Sequence, residues 1–217
     1  MKKLLVLFIS LLLIFSINCF SLANEIAIRV GDETLTQHEL DVRINKGASG
    51  SDPYKWLEPH EVALSFIYYA LIKNTLEDVK PETDMDRIRK GARKRIDNLL
   101  EANNIGMGEL EQRGNMTEQQ IIEVSFSSLA LEVLENYYQK KAEEFVTDQM
   151  IDEILYELNF KLRPKNRGEI AKKVRKTLIQ IKKERLVRIR IFEEYEKGIM
   201  INTNQVDREK VKQAFNF

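Results

Sequence analysis

Apolar residues recur along this chain at three- and four-residue spacing far more often than they alternate, a pattern that predicts helices joined by short polar breaks. The longest such segment lies near the end. Residues 167–197 are rich in Glu, Lys, Arg, Leu and Ile and have no Pro or Gly after Gly168, so they can propagate as one helix about 45 Å long. Ile170, Val174, Leu178 and Ile181 form an apolar stripe that Leu186, Ile189 and Phe192 continue, and Val187, Ile191 and Tyr195 add a second stripe beside it. An arc this wide needs neighbours on several sides, and they must come from earlier in the chain. Gly198 is placed to stop the helix, and Ile199-Met200-Ile201 then reads as a short strand.

The earlier chain supplies those neighbours. Residues 26–30 alternate as a strand, Gly31-Asp32 turns, and Glu33-Thr34-Leu35 returns. Thr36 and Glu39 form a capping box that opens a helix over about 37–45, followed by a loop-like run at 46–52 and a helical turn at Asp52-Pro53. Glu58-Pro59 starts a buried helix to Val79, with Val62, Phe66, Tyr69 and Leu76 on one face and Ala63, Ile67 and Ala70 beside them. Thr83, with Asp86 three residues on, is expected to cap a helix over 84–102 whose narrow seam is Ile88, Ala92, Ile96, Leu99 and Leu100. A short helix is expected at 107–113. A second capping box, Thr117 and Gln120, opens the helix 118–145, with Ile122, Phe126, Leu129, Val133 and Tyr137 expected on its inner face, widened by Ile121, Leu131, Leu134 and Tyr138. Thr147-Asp148 caps a helix over 149–159, residues 160–167 read as a basic linker containing Pro164, and 203–217 read as a tail or short helix. The fold class is mostly α.

Composition agrees with this and adds a compartment. Among 217 residues there are only 9 Gly and 4 Pro, while charged residues make up 31%, which suits long helices with solvated faces. The 34 basic and 34 acidic residues cancel in total but not locally: residues 161–190 hold 13 basic residues against Glu169 and Glu184. That excess reads either as a solvated face paired to acidic helices of the same fold, or as a patch for an anionic surface using Lys172, Lys173, Arg175, Lys176, Lys182 and Lys183. At the start, Lys2-Lys3 precede an apolar run over 4–17, and Ser21-Leu22-Ala23 puts small residues at the positions a signal peptidase reads. Residues 1–23 are therefore expected to be a secretory signal peptide cleaved after Ala23, with a periplasmic product. The single Cys, Cys19, would leave with it; membrane contact is expected only if Cys19 is instead lipidated. Without a mature cysteine, packing alone holds the fold.

The usual catalytic arrangements are missing. His38-Glu39 and His60-Glu61 begin like the zinc motif HExxH, but Val42 and Leu64 stand where the second histidine is needed. No phosphate-binding glycine loop is present, and the carboxylates sit at helix-surface spacing. Expectations follow of no catalytic residues, no metal, no cofactor and no nucleic-acid partner. Phe215-Asn216-Phe217 is aromatic like the end of an outer-membrane barrel strand, but residues 206–214 are helical in composition.

Three pieces in order resemble the SurA family of periplasmic chaperones, with relatives among the PrsA-type foldases and trigger factor. Val30-Gly31-Asp32-Glu33-Thr34-Leu35-Thr36-Gln37-His38-Glu39-Leu40 is similar to the family's opening signature. Asn104-Ile105 through Asn115-Met116-Thr117-Glu118-Gln119-Gln120 to Ile122 is similar to its middle helix, loop and helix. Residues 169–202 are similar to its terminal helix and closing strand. The resemblance implies a multi-helical chaperone core over 24–202, in which the helix 169–197 packs back on the N-terminal part and strands 26–30 and 199–201 pair. It also implies an ATP-independent holdase for unfolded or partly folded envelope proteins. The family's parvulin domains have no room here, since only about ten residues stand in their place, so prolyl isomerase activity is expected to be absent. A dedicated assembly factor for one envelope protein is the alternative. Expected walls of an apolar peptide crevice are Phe66, Tyr69, Phe126 and Tyr137, with Met107 and Met116, whose thioethers repack easily, at the connectors.

Overall fold

The structure, a computed structural model, describes residues 25–49, 56–157 and 164–215. The expected leader, Cys19, the Asp52-Pro53 turn, residues 158–159 of the expected helix 149–159 and residues 160–163 of the linker lie outside the described residues. Strand β1 (Ile26–Val30), strand β2 (Glu33–Thr36), helices α1 (Gln37–Gly47), α2 (Pro59–Val79), α3 (Met85–Asn103), α4 (Met107–Gly114), α5 (Glu118–Phe145), α6 (Asp148–Glu157) and α7 (Pro164–Glu196), strand β3 (Ile199–Ile201) and helix α8 (Arg208–Ala214) follow in order. The protein is mostly helical, with one small antiparallel sheet ordered β2-β1-β3.

Local chemistry accounts for most boundaries. Gly31, at φ +58°, makes the turn between β1 and β2, a conformation open to glycine at little cost. Asn74 of α2 donates to the Val30 carbonyl at 3.1 Å and lies so close to Gly31 that a Cβ there would sit 2.6 Å from its amide nitrogen. Both capping boxes form, at Thr36 with Glu39 and at Thr117 with Gln120. Gly198, at φ +111°, ends α7 and turns the chain into β3, which pairs antiparallel with β1 through Ile28 opposite Ile201 and Val30 opposite Ile199. The first and last strands are thus joined, as the family resemblance implied.

Helix α2 is the axis of the main core. Ten of its residues are buried, including Phe66, Ile67, Leu71 and Ile72, because α5, α7, α8, α1 and β1 all pack around it. A helix apolar on most sides needs neighbours on most sides.

Several expectations need correction. Asp84, not Thr83, caps α3: its carboxylate accepts the Arg87 amide at 3.0 Å, while the Thr83 hydroxyl is buried with no hydrogen-bond partner among the described residues. Leu99 points outward, leaving Ile88, Ala92 and Ile96 as the α3 seam. Helix α1 runs on to Gly47, taking the first two residues of the expected loop. Helix α7 begins at Pro164, where a proline at the first helical position gives up no needed N–H, so the expected linker is shorter. The inner face of α5 is rotated from the expected one: Glu123, Phe126, Ser127, Ala130, Leu134, Tyr138 and Ala142 are buried, while Tyr137 is 51% exposed. Near its end α7 buries Val187 and Ile191 of the second stripe, whereas Ile181 and Ile189 of the first are exposed. The final segment is a helix built into the core, with Val206, Val211 and Phe215 buried and Phe215 stacked on Tyr195 at 4.8 Å.

Candidate functional site

The residues expected to wall a crevice do not meet in one. Phe66, Tyr69 and Phe126 are 3%, 9% and 1% exposed and form a closed aromatic cluster, Tyr69 meeting Phe126 edge-on at 5.4 Å and Phe66 at 6.5 Å. Burial pushes the Tyr69 hydroxyl pKa up. Tyr137 packs against Tyr138 on the outside, and Met107 and Met116 are partly buried at the two ends of α4. Phe66, Tyr69 and Phe126 are core because they fall on the arcs where α2 and α5 face each other.

Beside that cluster stands a buried ion pair. Arg43 of α1 donates two parallel hydrogen bonds to Glu123 of α5, at 2.6 and 2.7 Å, with both side chains about 5% exposed or less. The Arg43 guanidinium also lies over the Phe66 ring, 5.7 Å from its centre, and Gln119 donates to Glu123 at 3.1 Å. A bidentate pair held this way fixes α1 against α5 with the geometry of both groups satisfied.

The open apolar surface is centred on Tyr68, the residue between two buried ones. Tyr68 is 42% exposed and separates two hollows. One, about 480 Å³, lies between α2 and α5 and is lined by Ser65, Tyr68, Val124, Ser127, Ser128, Leu131, Glu132 and Glu135. The other, about 510 Å³, lies between α2, α7 and α8 and is lined by Leu64, Ser65, Tyr68, Arg188, Ile191 and Phe215. The two share Ser65 and Tyr68, so they form one groove crossing the outer side of α2.

Local sequence explains the groove. Ser65 and Ser127 are small where a larger residue would close the gap, and Ser127 returns its hydroxyl to the Glu123 carbonyl at 2.8 Å, which leaves the neighbouring wall apolar. Glu135 is held by Gln180 at 3.3 Å and Lys183 at 3.6 Å, and Glu132 by Arg95 at 2.7 Å, so both carboxylates lining this hollow already have partners. Serine hydroxyls, aliphatic side chains, one tyrosine and a few charged groups line the groove.

Among the described residues no group of three or more His, Cys, Asp or Glu could hold a metal ion, and no helix is long and apolar enough to cross a membrane. Much of the basic stretch is paired inside the fold. Arg175 reaches Asp148 and the Val146 carbonyl, Arg167 reaches Asp152 at 3.2 Å, Arg190 reaches Asp78 at 2.5 Å, and Lys182 lies 4.2 Å from the Phe145 ring centre.

Sequence reasoning missed Tyr68 because periodicity cannot single out one outward position on a helix apolar on most sides. Serines at 65, 127 and 128, interrupting apolar arcs, were the available signal. No family model, curated protein or solved structure matches this chain.

Proposed function

We propose that this chain is an exported, nucleotide-independent holdase with a SurA-type core, which shields apolar segments of unfolded or partly folded envelope proteins and lacks prolyl isomerase activity. The observation that supports this reading is the groove across α2, centred on an exposed tyrosine and walled by side chains of α5, α7 and α8. Apolar surface kept open in a concave strip of a helical body is what a client-binding protein requires. The expected leader at residues 1–23 supports the compartment, and the order of sequence pieces that resemble the family supports the client class.

Suppression of aggregation is the direct test. At equimolar ratio the protein is expected to keep an unfolded outer-membrane protein, or thermally unfolding citrate synthase, from scattering light. Tyr68→Glu should reduce that protection severalfold, with the helical signal unchanged because Tyr68 is not a core residue. No suppression by the wild-type chain, together with no binding to the unfolded client, overturns the proposal. Capture of one stoichiometric envelope protein instead of many weak clients turns the reading to a dedicated assembly factor.

A further inference from the structure

We infer that the outer edge of β3 is a second binding site, which takes up an extended acidic peptide segment of a partner protein by strand addition. The inference does not depend on the groove across α2.

The backbone carries the first part of the argument. Asn202 donates its N–H to the Ala27 carbonyl at 2.7 Å, which places the pair Ala27 and Asn202 in hydrogen-bonded register. In an antiparallel ladder hydrogen-bonded and non-bonded pairs alternate. Met200 therefore faces Arg29 in bonded register, and Ile199 and Ile201 stand opposite Val30 and Ile28 in non-bonded register. Their N–H and C=O groups point away from β1. Because β3 is at the end of the order β2-β1-β3, those groups have no strand beyond them among the described residues. Such a row is a template for another strand.

The side chains carry the second part. Along this edge a hollow of about 220 Å³ is lined by Tyr195, Ile199, Ile201, Arg208, Glu209, Val211 and Lys212. Engineered apolar cavities of ~150 Å³ hold a benzene ring, so one aliphatic side chain of an added strand fits against Ile199, Ile201 and Val211. Arg208 and Lys212 lie one helical turn apart on α8 and border the same hollow. Neither makes an ion pair or hydrogen bond through its side chain among the described residues, and they outnumber Glu209, the one carboxylate there. Two unpaired cations beside an open strand edge select an acidic segment over a neutral or basic one. An added strand alternates its side chains between faces, so the matching segment alternates aliphatic with acidic residues.

Three blocked, fluorescently labelled octapeptides test this on the full chain by anisotropy: one alternating Val and Glu, one with Gln for Glu, and one with Glu kept but alternate backbone amides N-methylated. The first is expected to bind, and the other two at least tenfold more weakly. Hydrogen exchange should slow at the Ile199 and Ile201 amides when the first peptide is added. The double variant Arg208→Glu and Lys212→Glu should lose at least tenfold in affinity for the first peptide, and Tyr68→Glu should leave it unchanged. Absence of binding at about 1 mM, equal binding of the N-methylated peptide, or no added protection at Ile199 and Ile201 overturns the inference. So does protection at those amides that rises with protein concentration alone, which would make a second copy of this chain the occupant.

Discussion

Along α7 the chain passes from one kind of packing to another. Near its C-terminal end, Val187 and Ile191 belong to a core that also holds residues of β1, β2, α1, α2, α3, α5 and α8. Near its N-terminal end the helix meets α6, and there the buried residues are Val146, Ile151 and Leu155, with Ile170, Ala171, Val174, Leu178 and Ile179 packed around them. The first region buries its helices from several sides. The second is two helices side by side, whose outer surfaces carry Met150, Tyr156 and Ile181 into solvent. Stability within one protein follows local burial, so an arm of this kind opens at a lower free energy than the body. One continuous helix connects a core packed from several sides to an arm with few buried residues.

The sharpest way to break the comparison is to damage the body where it cannot relax. Glu123→Ala leaves the Arg43 guanidinium buried without its partner, and a cost of about 3–5 kcal/mol is expected. Chemical denaturation should show the whole transition shift, including the signal from α6. If Glu123→Ala changed the unfolding free energy by less than about 0.5 kcal/mol, the pair would not be the fastener described. Leu155→Ala tests the arm. It removes one of three buried residues there, yet the loss is limited by the arm's own stability. Amides of α6 are expected to exchange at least tenfold faster, about 1.4 kcal/mol, while the body's protection stays as it was. Equal loss of protection in α2 would show that the two regions unfold as one.

The smallest effect belongs to a surface tie of the body. Lys210 of α8 donates to Glu58, at the start of α2, at 2.8 Å, and holds that carboxyl below its usual range, while Glu58 in turn raises the lysine. A depressed carboxyl contributes stability above its unfolded pKa and loses it as pH falls through the folded one. A raised lysine contributes below its unfolded pKa and loses it as pH rises through the folded one. The tie therefore holds across neutral pH and is released in acid below the ordinary carboxylate range. Both groups are exposed, so salt should weaken it. Exchange at the α8 amides, followed from neutral pH into acid and corrected for intrinsic rates, should show loosening that Glu58→Gln already has at neutral pH. A variant that kept the wild-type pH response would remove the tie from the account.

The parts legible in the sequence were those set by neighbouring residues. Thr36 with Glu39, Thr117 with Gln120, Glu58-Pro59, Gly31 and Gly198 all act within a few positions, and each made the boundary it suggested. The pairing of β1 with β3 was what the family resemblance implied. What failed was the choice of face. On α5 the buried arc contains Gln120, Glu123 and Ser127, so the most apolar stripe is not the innermost one. Glu123 is inside because Arg43, eighty residues earlier, neutralises it there. On α7 one helix meets two sets of neighbours, and no single stripe describes both. The open groove was missed for a related reason: Tyr68 is exposed because α5, α7 and α8 leave that line of α2 uncovered, a property of their placement rather than of any residue in α2.

The closure of the sheet sets a schedule for the chain as it emerges during synthesis. β1 is the middle strand, yet its second partner is β3, about 170 residues further along. Until that last segment is made, the early strand has one neighbour, and the helix that joins the scaffold to the arm has no anchor at its far end. The domain therefore cannot be finished from the front. It must wait for its own ending, and a ribosome-bound fragment stopped before Gly198 should remain open to proteolysis at β1 while the complete chain is resistant.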